Sequence, residues 1–218
     1  MHKSIINLID IEKKINLKKK DKDFESKIIA VSKTFPIKDI TPLIEFGHIH
    51  FGENKVQEAI EKWSDIKSNN KNIKLHMIGK LQSNKVKNAL CLFDYIHSLD
   101  SLKLAKKISE QQKKMDKKIK LFIQINIGSE SQKSGIKVDE LSSFYKVCCS
   151  ELDLNIIGLM CLPPINSEPS KYFKLMKQLS DELSLKELSM GMSADYLEAI
   201  EYSASFIRVG SKIFGARI

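Results

Sequence analysis

The chain has 218 residues, of which 42% are hydrophobic, and carries a formal net charge of +9. This length allows one sizeable hydrophobic core, and we expect residues 1–218 to form a single domain. No apolar run approaches the ~20 residues that a membrane-spanning helix needs, and Asp10 interrupts the first apolar stretch too early for a secretory signal. We therefore expect a cytoplasmic protein with no membrane attachment.

The positive charge comes almost entirely from lysine, because only Arg208 and Arg217 among the 36 basic residues are arginines. Sequence-specific recognition of bases favours arginine, and the lysine run at 18–20 lies beside Asp21. We interpret such runs as solvated surfaces, so weak polyanion binding is a secondary hypothesis and specific nucleic-acid binding is not expected. The four cysteines and five histidines match no metal-binding motif, and no metal site is expected.

In chain order, the first predicted element is an amphipathic helix over the first twenty residues, with Ile5, Leu8 and Ile15 near helical spacing. Short apolar runs then alternate with amphipathic segments, and each run predicts a buried strand. Within the third run, His76 is expected to be a hydrogen-bonded core residue. The eight runs are 27–32, 47–51, 73–78, 93–97, 119–126, 155–162, 186–189 and 206–209.

A clear helix signal follows the fourth run, over residues 101–115. Asp100 precedes this segment and is its expected N-terminal cap. The apolar spacing predicts that Leu102, Ala105 and Ile108 form its inward face.

Two further helices are expected to begin beside polar residues. Glu53 and Asn54 suit the first turn of a helix over 53–63. Ser193 is the expected hydroxyl cap of a helix after the seventh run, with the Asp195 carboxylate in its first turn.

Eight strands that alternate with helices favour parallel β/α packing. Two architectures compete, a closed eight-stranded barrel and an open doubly wound sheet. No GxGxxG motif follows the first strand, which weakens the case for a dinucleotide-binding sheet. The barrel also explains why polar residues follow the strands, since barrels carry their chemistry at the carboxyl ends of strands. We therefore predict a (β/α)8 TIM-type barrel with an extra N-terminal helix.

Lys33 closes the apolar run 28–32, immediately before a loop. A buried ammonium group is unfavourable, so it must find a partner, give up its proton or form a bond. A lysine held neutral is a nucleophile towards aldehydes. Lys33 is therefore the first candidate for chemistry.

Two turns rich in glycine and serine, 189–193 and 208–211, follow the seventh and eighth runs. Either turn alone fits ordinary helix capping, but together they occupy the positions where barrels often hold phosphate. Arg208 could form a structural ion pair at a strand end; the scarcity of arginine favours a role at the ligand. A lysine on strand one and a phosphate site after strands seven and eight describe an aldehyde bearing a phosphate, and pyridoxal phosphate is the obvious candidate.

The chain also carries a series of short motifs across nearly its whole length. They are AVSKT at 30–34, FGEN at 51–54, IGKLQSNK at 78–85, KSG at 133–135, GLM at 158–160, LSMGMS at 188–193 and RVGSKIFG at 208–215. In these motifs and in their order the chain resembles the pyridoxal phosphate homeostasis proteins. These are single-domain relatives of the alanine racemase barrel and have fold type III of the pyridoxal phosphate proteins.

The resemblance implies a role for several residues at the cofactor. Lys33 would form the internal aldimine with pyridoxal phosphate, and Arg208 would face the pyridine nitrogen. The other implied cofactor-binding residues are Ser189, Gly191, Gly210 and Ser211 at the phosphate, with Asn54 and Met160 beside the ring.

The chemistry of Arg208 bears on whether the protein turns over a substrate. A guanidinium stays charged and only donates hydrogen bonds, so it would keep the pyridine nitrogen unprotonated and the ring a poor electron sink. The resemblance also implies that racemases of this fold take a second base from an added domain of the partner subunit, whereas this sequence ends directly after the last barrel segment. We therefore expect no catalytic residues.

The expected function is that of a monomeric carrier that holds pyridoxal phosphate and takes part in vitamin B6 homeostasis without turnover, with apo pyridoxal phosphate enzymes as recipients. The alternative is a monomeric amino-acid racemase-like enzyme.

Two features of the motifs carry no assigned role. Lys80 stands where the family commonly has proline or histidine, so no function is transferred to it. Residues Lys133, Ser134 and Gly135 are expected to lie in a mobile loop after strand five.

Overall fold

The computed structural model describes residues 1–19, 21, 24–130, 132 and 134–216. Within these residues, eight parallel strands follow one another in chain order around a closed barrel. The strands are β1 (Lys27–Val31), β2 (His50–Glu53), β3 (Lys74–Met77), β4 (Tyr95–Leu99), β5 (Lys120–Ile125), β6 (Ile156–Cys161), β7 (Glu187–Met192) and β8 (Phe206–Val209). The predicted (β/α)8 barrel is confirmed, and the open sheet is excluded.

Helices cover the outside of the barrel and connect successive strands. The α-helices are α1 (Lys3–Lys18), α2 (Ile37–Glu45), α3 (Val56–Asn69), α4 (Val86–Leu92), α5 (Leu102–Met115), α6 (Leu141–Lys146), α7 (Pro169–Glu182), α8 (Tyr196–Glu201) and α9 (Ser211–Phe214). Short 3-10 segments at Ser83–Lys85 and Val138–Glu140 and a π-helical turn at Val147–Glu151 complete the described helical structure.

The barrel closes between β1 and β8, where Ile29 lies opposite Arg208 and Ala30 opposite Val209. Because helices cover the outer face and side chains fill the inside, these strands are apolar on both faces. The interior contains its own apolar cluster, separate from the larger core between strands and helices. Its members are Ile29, Tyr95, Phe122, Met160 and Phe206.

The extra N-terminal helix α1 packs against α8 and α9. Its buried face consists of Leu8, Ile11 and Ile15, which follow helical spacing. Asn7 Nδ2 donates a hydrogen bond of 3.0 Å to the carbonyl oxygen of Ile213. The predicted helix is therefore confirmed, and it covers the segment where β8 leads into the last helix. None of the helices that the structure describes is both long enough and apolar enough to cross a bilayer.

The predicted second strand, 47–51, is displaced towards the C-terminus and forms β2 over His50–Glu53 instead. Residues before it are used to end α2, since Gly47 adopts φ +97° and the backbone N–H of His48 bonds to the Leu43 carbonyl. This left-handed glycine termination is a common helix end.

The seventh strand is longer than predicted, because it continues through 189–192 rather than ending in a turn. Gly191 adopts φ +88°, and the pairing of β7 with β8 shifts register between Ser189 and Met192. Glycine with a positive φ is typical of turns. In this structure, Gly191 instead lies at an irregularity within β7. Ser189 therefore belongs to the barrel wall.

Two predicted caps are wrong. Helix α5 is capped by Ser101 rather than Asp100, with the Ser101 hydroxyl accepting a bond from the Leu104 amide. As a result, Leu102 is 42% exposed while Leu104 is buried. Helix α8 has Asp195 at its cap position rather than Ser193.

Candidate functional site

The predicted ligand residues belong to the carboxyl-terminal half of the barrel, on strands that are neighbours in the sheet. Lys33 lies two residues beyond β1, in a half-buried turn. The turn is held to the neighbouring structure on both sides, because the Ser32 amide donates to the Gly52 carbonyl at 3.0 Å and the Thr34 amide to Glu58 Oε1 at 2.7 Å. Lys33 therefore sits on a fixed stretch of backbone.

Glu53, the last residue of β2, stabilises this turn through its side chain. Its side chain is fully buried, and Oε1 accepts hydrogen bonds from Ser32 Oγ at 2.7 Å, Lys62 Nζ at 3.0 Å and Trp63 Nε1 at 3.0 Å. Lys62 also donates to the Ser32 carbonyl at 2.9 Å. The interpretation of Glu53 as a helix-capping residue is wrong, since its carboxylate ties the residue before Lys33 to α3.

Arg208 lies inside the barrel, on β8, with only 5% of its surface exposed. Its Nη1 donates to Ser189 Oγ at 2.6 Å and its Nη2 to the Cys161 carbonyl at 2.9 Å. Among the described residues it forms no ion pair with a carboxylate, and burial lowers the pKa of its guanidinium. The Asp195 carboxylate acts on the guanidinium without forming an ion pair. Because no carboxylate of the described residues pairs with this buried cation directly, its position favours a ligand that brings hydrogen-bond acceptors or negative charge.

Three more predicted residues lie on the strands beside Arg208. Met160 on β6 is the register partner of Ser189 on β7, and its side chain belongs to the interior apolar cluster. Both the positive φ and the packing favour glycine at position 191, since a Cβ atom there would lie 2.7 Å from the Ala199 Cβ. The structure thus brings Ser189 and Arg208 into direct contact, with Met160 adjacent to Ser189.

The turn after β8 connects this group to Lys33. A Cβ atom on Gly210 would lie 3.3 Å from the carbonyl oxygen of Val31, so the turn packs against the end of β1, two residues before Lys33. Ser211 begins α9 directly afterwards and is exposed. The Gly210 turn and the Lys33 turn are therefore neighbours at the rim.

Asn54 lines a cavity of about 350 Å³ beside the rim, and neither Arg208 nor Ser189 is among the residues that line it. This volume is at the lower end of the range for small-molecule sites. Lys80, for which no role was predicted, lines the same cavity and is exposed. Of the 133–135 segment, Ser134 also lines it, whereas Lys133 lies outside the described residues.

A row of buried histidines extends from Ser189 through the barrel. Hydrogen bonds join His97 Nδ1 to Ser189 Oγ at 2.8 Å, His76 Nδ1 to His97 Nε2 at 2.9 Å, and His50 Nδ1 to His76 Nε2 at 2.9 Å. We call His50, His76 and His97 the histidine row. The prediction that His76 is a hydrogen-bonded core residue is confirmed.

The histidine row is uncharged at neutral pH. Burial is the main cause, and it lowers the pKa of His50 to about 4 and those of His76 and His97 well below their usual value. The charge of Arg208 lowers the pKa of His97 further. The sequence offers one signal for the row, since each histidine lies within or beside a predicted strand, but the contacts depend on the stagger of β2, β3 and β4.

The comparisons with known proteins cover nearly the whole chain. Residues 6–218 match the family model described as the alanine racemase N-terminal domain. A pyridoxal phosphate homeostasis protein of Pasteurella multocida is 36% identical over 201 residues, which are 88% of this chain and 86% of that protein. The pyridoxal phosphate homeostasis protein of Escherichia coli is 34% identical over 202 residues, with the same two shares.

Solved structures give the same relationship. PipY of Synechococcus elongatus, solved with PLP bound, superimposes with a TM-score of 0.85 at 31% identity and covers 97% of this chain and 100% of its own. Alanine racemase of Clostridium difficile shares the fold, with a TM-score of 0.74 at 15% identity, and this chain spans 57% of it. The chain thus belongs to the family of the alanine racemase N-terminal domain and, within it, to the pyridoxal phosphate homeostasis proteins.

Proposed function

We propose that the protein binds pyridoxal phosphate reversibly through Lys33 and takes part in the homeostasis of this cofactor without turnover of its own. The observation that carries the proposal is the buried Arg208 guanidinium, which contacts only neutral oxygen atoms and lies on the strand paired with that of Lys33. The names of the relatives and the PLP-bound PipY structure support the same ligand.

The residues present fit pyridoxal phosphate. Arg208 has five N–H donors, of which the contacts with Ser189 and Cys161 leave some for an acceptor such as a pyridine nitrogen. Gly210 and Ser211 offer backbone N–H groups at the rim, where a phosphate would bind. Asn54 and Met160 would border the ring.

When bound, the cofactor supplies an aldehyde that the Lys33 amine can attack, with loss of one water molecule; addition of water reverses the bond.

The same residues support binding rather than turnover. Because Arg208 only donates, a pyridine nitrogen opposite it stays unprotonated and withdraws electrons weakly. The closest imidazole to Arg208 in the hydrogen-bond network, His97, is neutral and has both ring nitrogens engaged in hydrogen bonds. We therefore propose a holding and delivery role, with apo pyridoxal phosphate enzymes as recipients.

The visible absorption spectrum of the protein loaded with pyridoxal phosphate tests this function. Wild type is expected to show the band of a lysine-linked cofactor, and Lys33→Ala is expected to lose it. Lys38→Ala, on the exposed side of the nearby helix α2, is the matched control and should keep the band. A full band in Lys33→Ala would remove Lys33 from the proposal.

A second measurement separates the carrier from an enzyme. Free amino acids incubated with the loaded protein in deuterated water are expected to keep their α-hydrogen, whereas an added apo-enzyme should gain cofactor and activity. Sustained Lys33-dependent exchange at the α-carbon would overturn the absence of turnover.

A further inference from the structure

We propose that the histidine row is a proton relay between the Ser189 hydroxyl at the ligand site and the amino-terminal end of the barrel, so that a ligand which accepts a hydrogen bond from Ser189 fixes which ring nitrogen of His50 carries a proton. This inference rests on the proposed function for the identity of the ligand. The relay itself is a property of the protein's own residues.

The geometry of the row requires all of its hydrogen bonds to run in the same direction. A neutral imidazole has one N–H donor and one acceptor nitrogen, and each link joins an Nδ1 atom to an Nε2 atom at 2.9 Å. Once one histidine donates in a given direction, its neighbours must donate in the same direction. The row therefore has two arrangements, which differ in the protonated nitrogen of every member.

In the first arrangement, Ser189 O–H donates to His97 Nδ1 and the three histidines carry their protons on Nε2. In the second, the three histidines carry their protons on Nδ1 and His97 donates to Ser189 Oγ. Arg208 donates to Ser189 Oγ in both arrangements. Only in the second is the Ser189 hydrogen free to donate to a ligand.

Conversion from the first arrangement to the second moves one proton through the row. The Ser189 proton passes to His97 Nδ1, the Nε2 protons of His97 and His76 pass to the next Nδ1 atoms, and His50 releases its Nε2 proton. Ser189 Oγ regains a proton from the ligand site, from water or from the phosphate of the ligand. No residue changes its net charge, and one proton has crossed from the site to His50.

The surroundings of the row confine the proton to this path. Tyr95 stacks on His76 with ring centroids 4.3 Å apart, and Phe122 stacks on His97 at 4.2 Å. Phe206 contacts all three histidines of the row. These apolar faces exclude water along the sides, so hydrogen bonds continue only from one imidazole to the next.

The row ends at an opening on the far side of the barrel. His50 begins β2 and lines a cavity of about 290 Å³ at the amino ends of β1 and β2. The charged groups that act on His50 there are Lys27, Lys74 and Asp94, and His48 lies beside it. A proton released from His50 Nε2 therefore has a polar exit, away from Lys33.

Nitrogen-15 NMR of histidine-labelled protein reads the relay directly, because protonated and bare ring nitrogens have different shifts. In the free protein at neutral pH, all three imidazoles are expected to be neutral with their protons on the same type of nitrogen. Addition of pyridoxal phosphate is expected to leave all three protonated on Nδ1. Mixed protonation within the row, or a charged member, would overturn the relay.

Variants separate the relay from simple packing. In His76→Phe, the ligand should still act on His97 but no longer on His50. His50→Gln keeps a hydrogen-bonding side chain at the less buried end, and its amide can donate or accept, so the ligand should still set His97 and His76 together. Tyr95→Phe retains the ring stacked on His76 and is the control that should respond as wild type does.

The same samples distinguish failure of the relay from failure of the proposed function. A visible band with the row still protonated on Nε2 would overturn the relay and leave the function standing. Absence of the visible band would overturn the function. The nitrogen-15 NMR spectrum of the free protein would still show whether all three histidines are protonated on the same type of nitrogen.

Discussion

At the rim of the barrel, one oxygen of the buried Glu53 carboxylate accepts hydrogen bonds from three donors, including the Lys62 ammonium at 3.0 Å. Inside the barrel, the buried Arg208 guanidinium contacts a serine hydroxyl and a backbone carbonyl. The two regions lie on adjoining parts of the same sheet, and both hold a charge away from water. In one the protein supplies a paired opposite charge, and in the other, among the described residues, the Asp195 carboxylate acts on the cation without pairing with it.

The difference separates scaffold from site. A charge that is paired within the protein fixes local structure. At the rim, the hydrogen bonds to Glu53 Oε1 fix the backbone that carries Lys33, while Oε2 has no partner among the described residues. A buried cation whose hydrogen bonds go only to neutral acceptors is incompletely stabilised, and a ligand with acceptors or negative charge can stabilise it further. The following changes test whether the two regions respond as this comparison requires.

The largest effect on stability is expected at the rim. Glu53→Gln removes one of the two carboxylates paired with the largely buried Lys62 and leaves Glu58 at 3.2 Å. The weakened hydrogen bonds to Ser32, Lys62 and Trp63 should cost about 2 kcal/mol of unfolding free energy. Urea denaturation measures this loss. Glu61→Gln, at an exposed position of α3, should stay within about 0.5 kcal/mol of wild type. Equal changes in the two variants would contradict a structural role for Glu53.

A smaller effect is expected from the interior as the pH falls. Burial lowers the pKa of His48 and of His50 to about 4 and the pKa of His76 well below its usual value, whereas the unfolded chain takes up these protons near pH 6.5. Stability should therefore be fully present above pH 6.5 and decrease as the pH falls towards 4.

One histidine contributes up to about 1.4 kcal/mol per pH unit to this slope. His76→Phe should therefore reduce the slope of unfolding free energy against pH by about that amount between pH 6.5 and 4.5. An unchanged slope in His76→Phe would show that His76 is not held neutral.

The smallest stability effect is expected at Arg208. Arg208→Met removes a costly buried charge together with two hydrogen bonds, and these opposing terms should keep the unfolding free energy within about 1 kcal/mol of wild type. Binding of pyridoxal phosphate should nevertheless be strongly weakened, as measured by titration of the visible band. A large loss of stability with intact binding would contradict the account, because it would give Arg208 a structural role rather than a role at the ligand.

Much of the fold could be predicted because parallel barrel strands are continuous apolar runs, and β1 with its terminal Lys33 is readable from sequence alone. The role of Glu53 could not be predicted, since its partners Ser32 and Lys62 come together only when β1, β2 and α3 pack. The segment 189–193 is predicted as a turn because it is rich in glycine and serine, whereas the positive φ of Gly191 is accommodated within β7 and Ser189 lies in the strand.

The interior of the barrel was the least predictable region. Histidines in apolar runs indicate buried polar residues, and His76 was recognised as one. Their connection into a row depends on the relative stagger of neighbouring strands, which hydrophobic patterns do not specify. The same holds for the contact between Arg208 and Ser189, which are on adjacent strands but separated by a register shift.

The central claim is that Lys33 is the residue that captures pyridoxal phosphate. Reduction of the loaded protein with borohydride makes the linkage permanent, and peptide mass mapping then identifies the modified residue among the many lysines. We expect the cofactor mass on the peptide containing Lys33 at a stoichiometry near one per chain. Modification spread over exposed lysines, with Lys33 unmodified, would contradict the account.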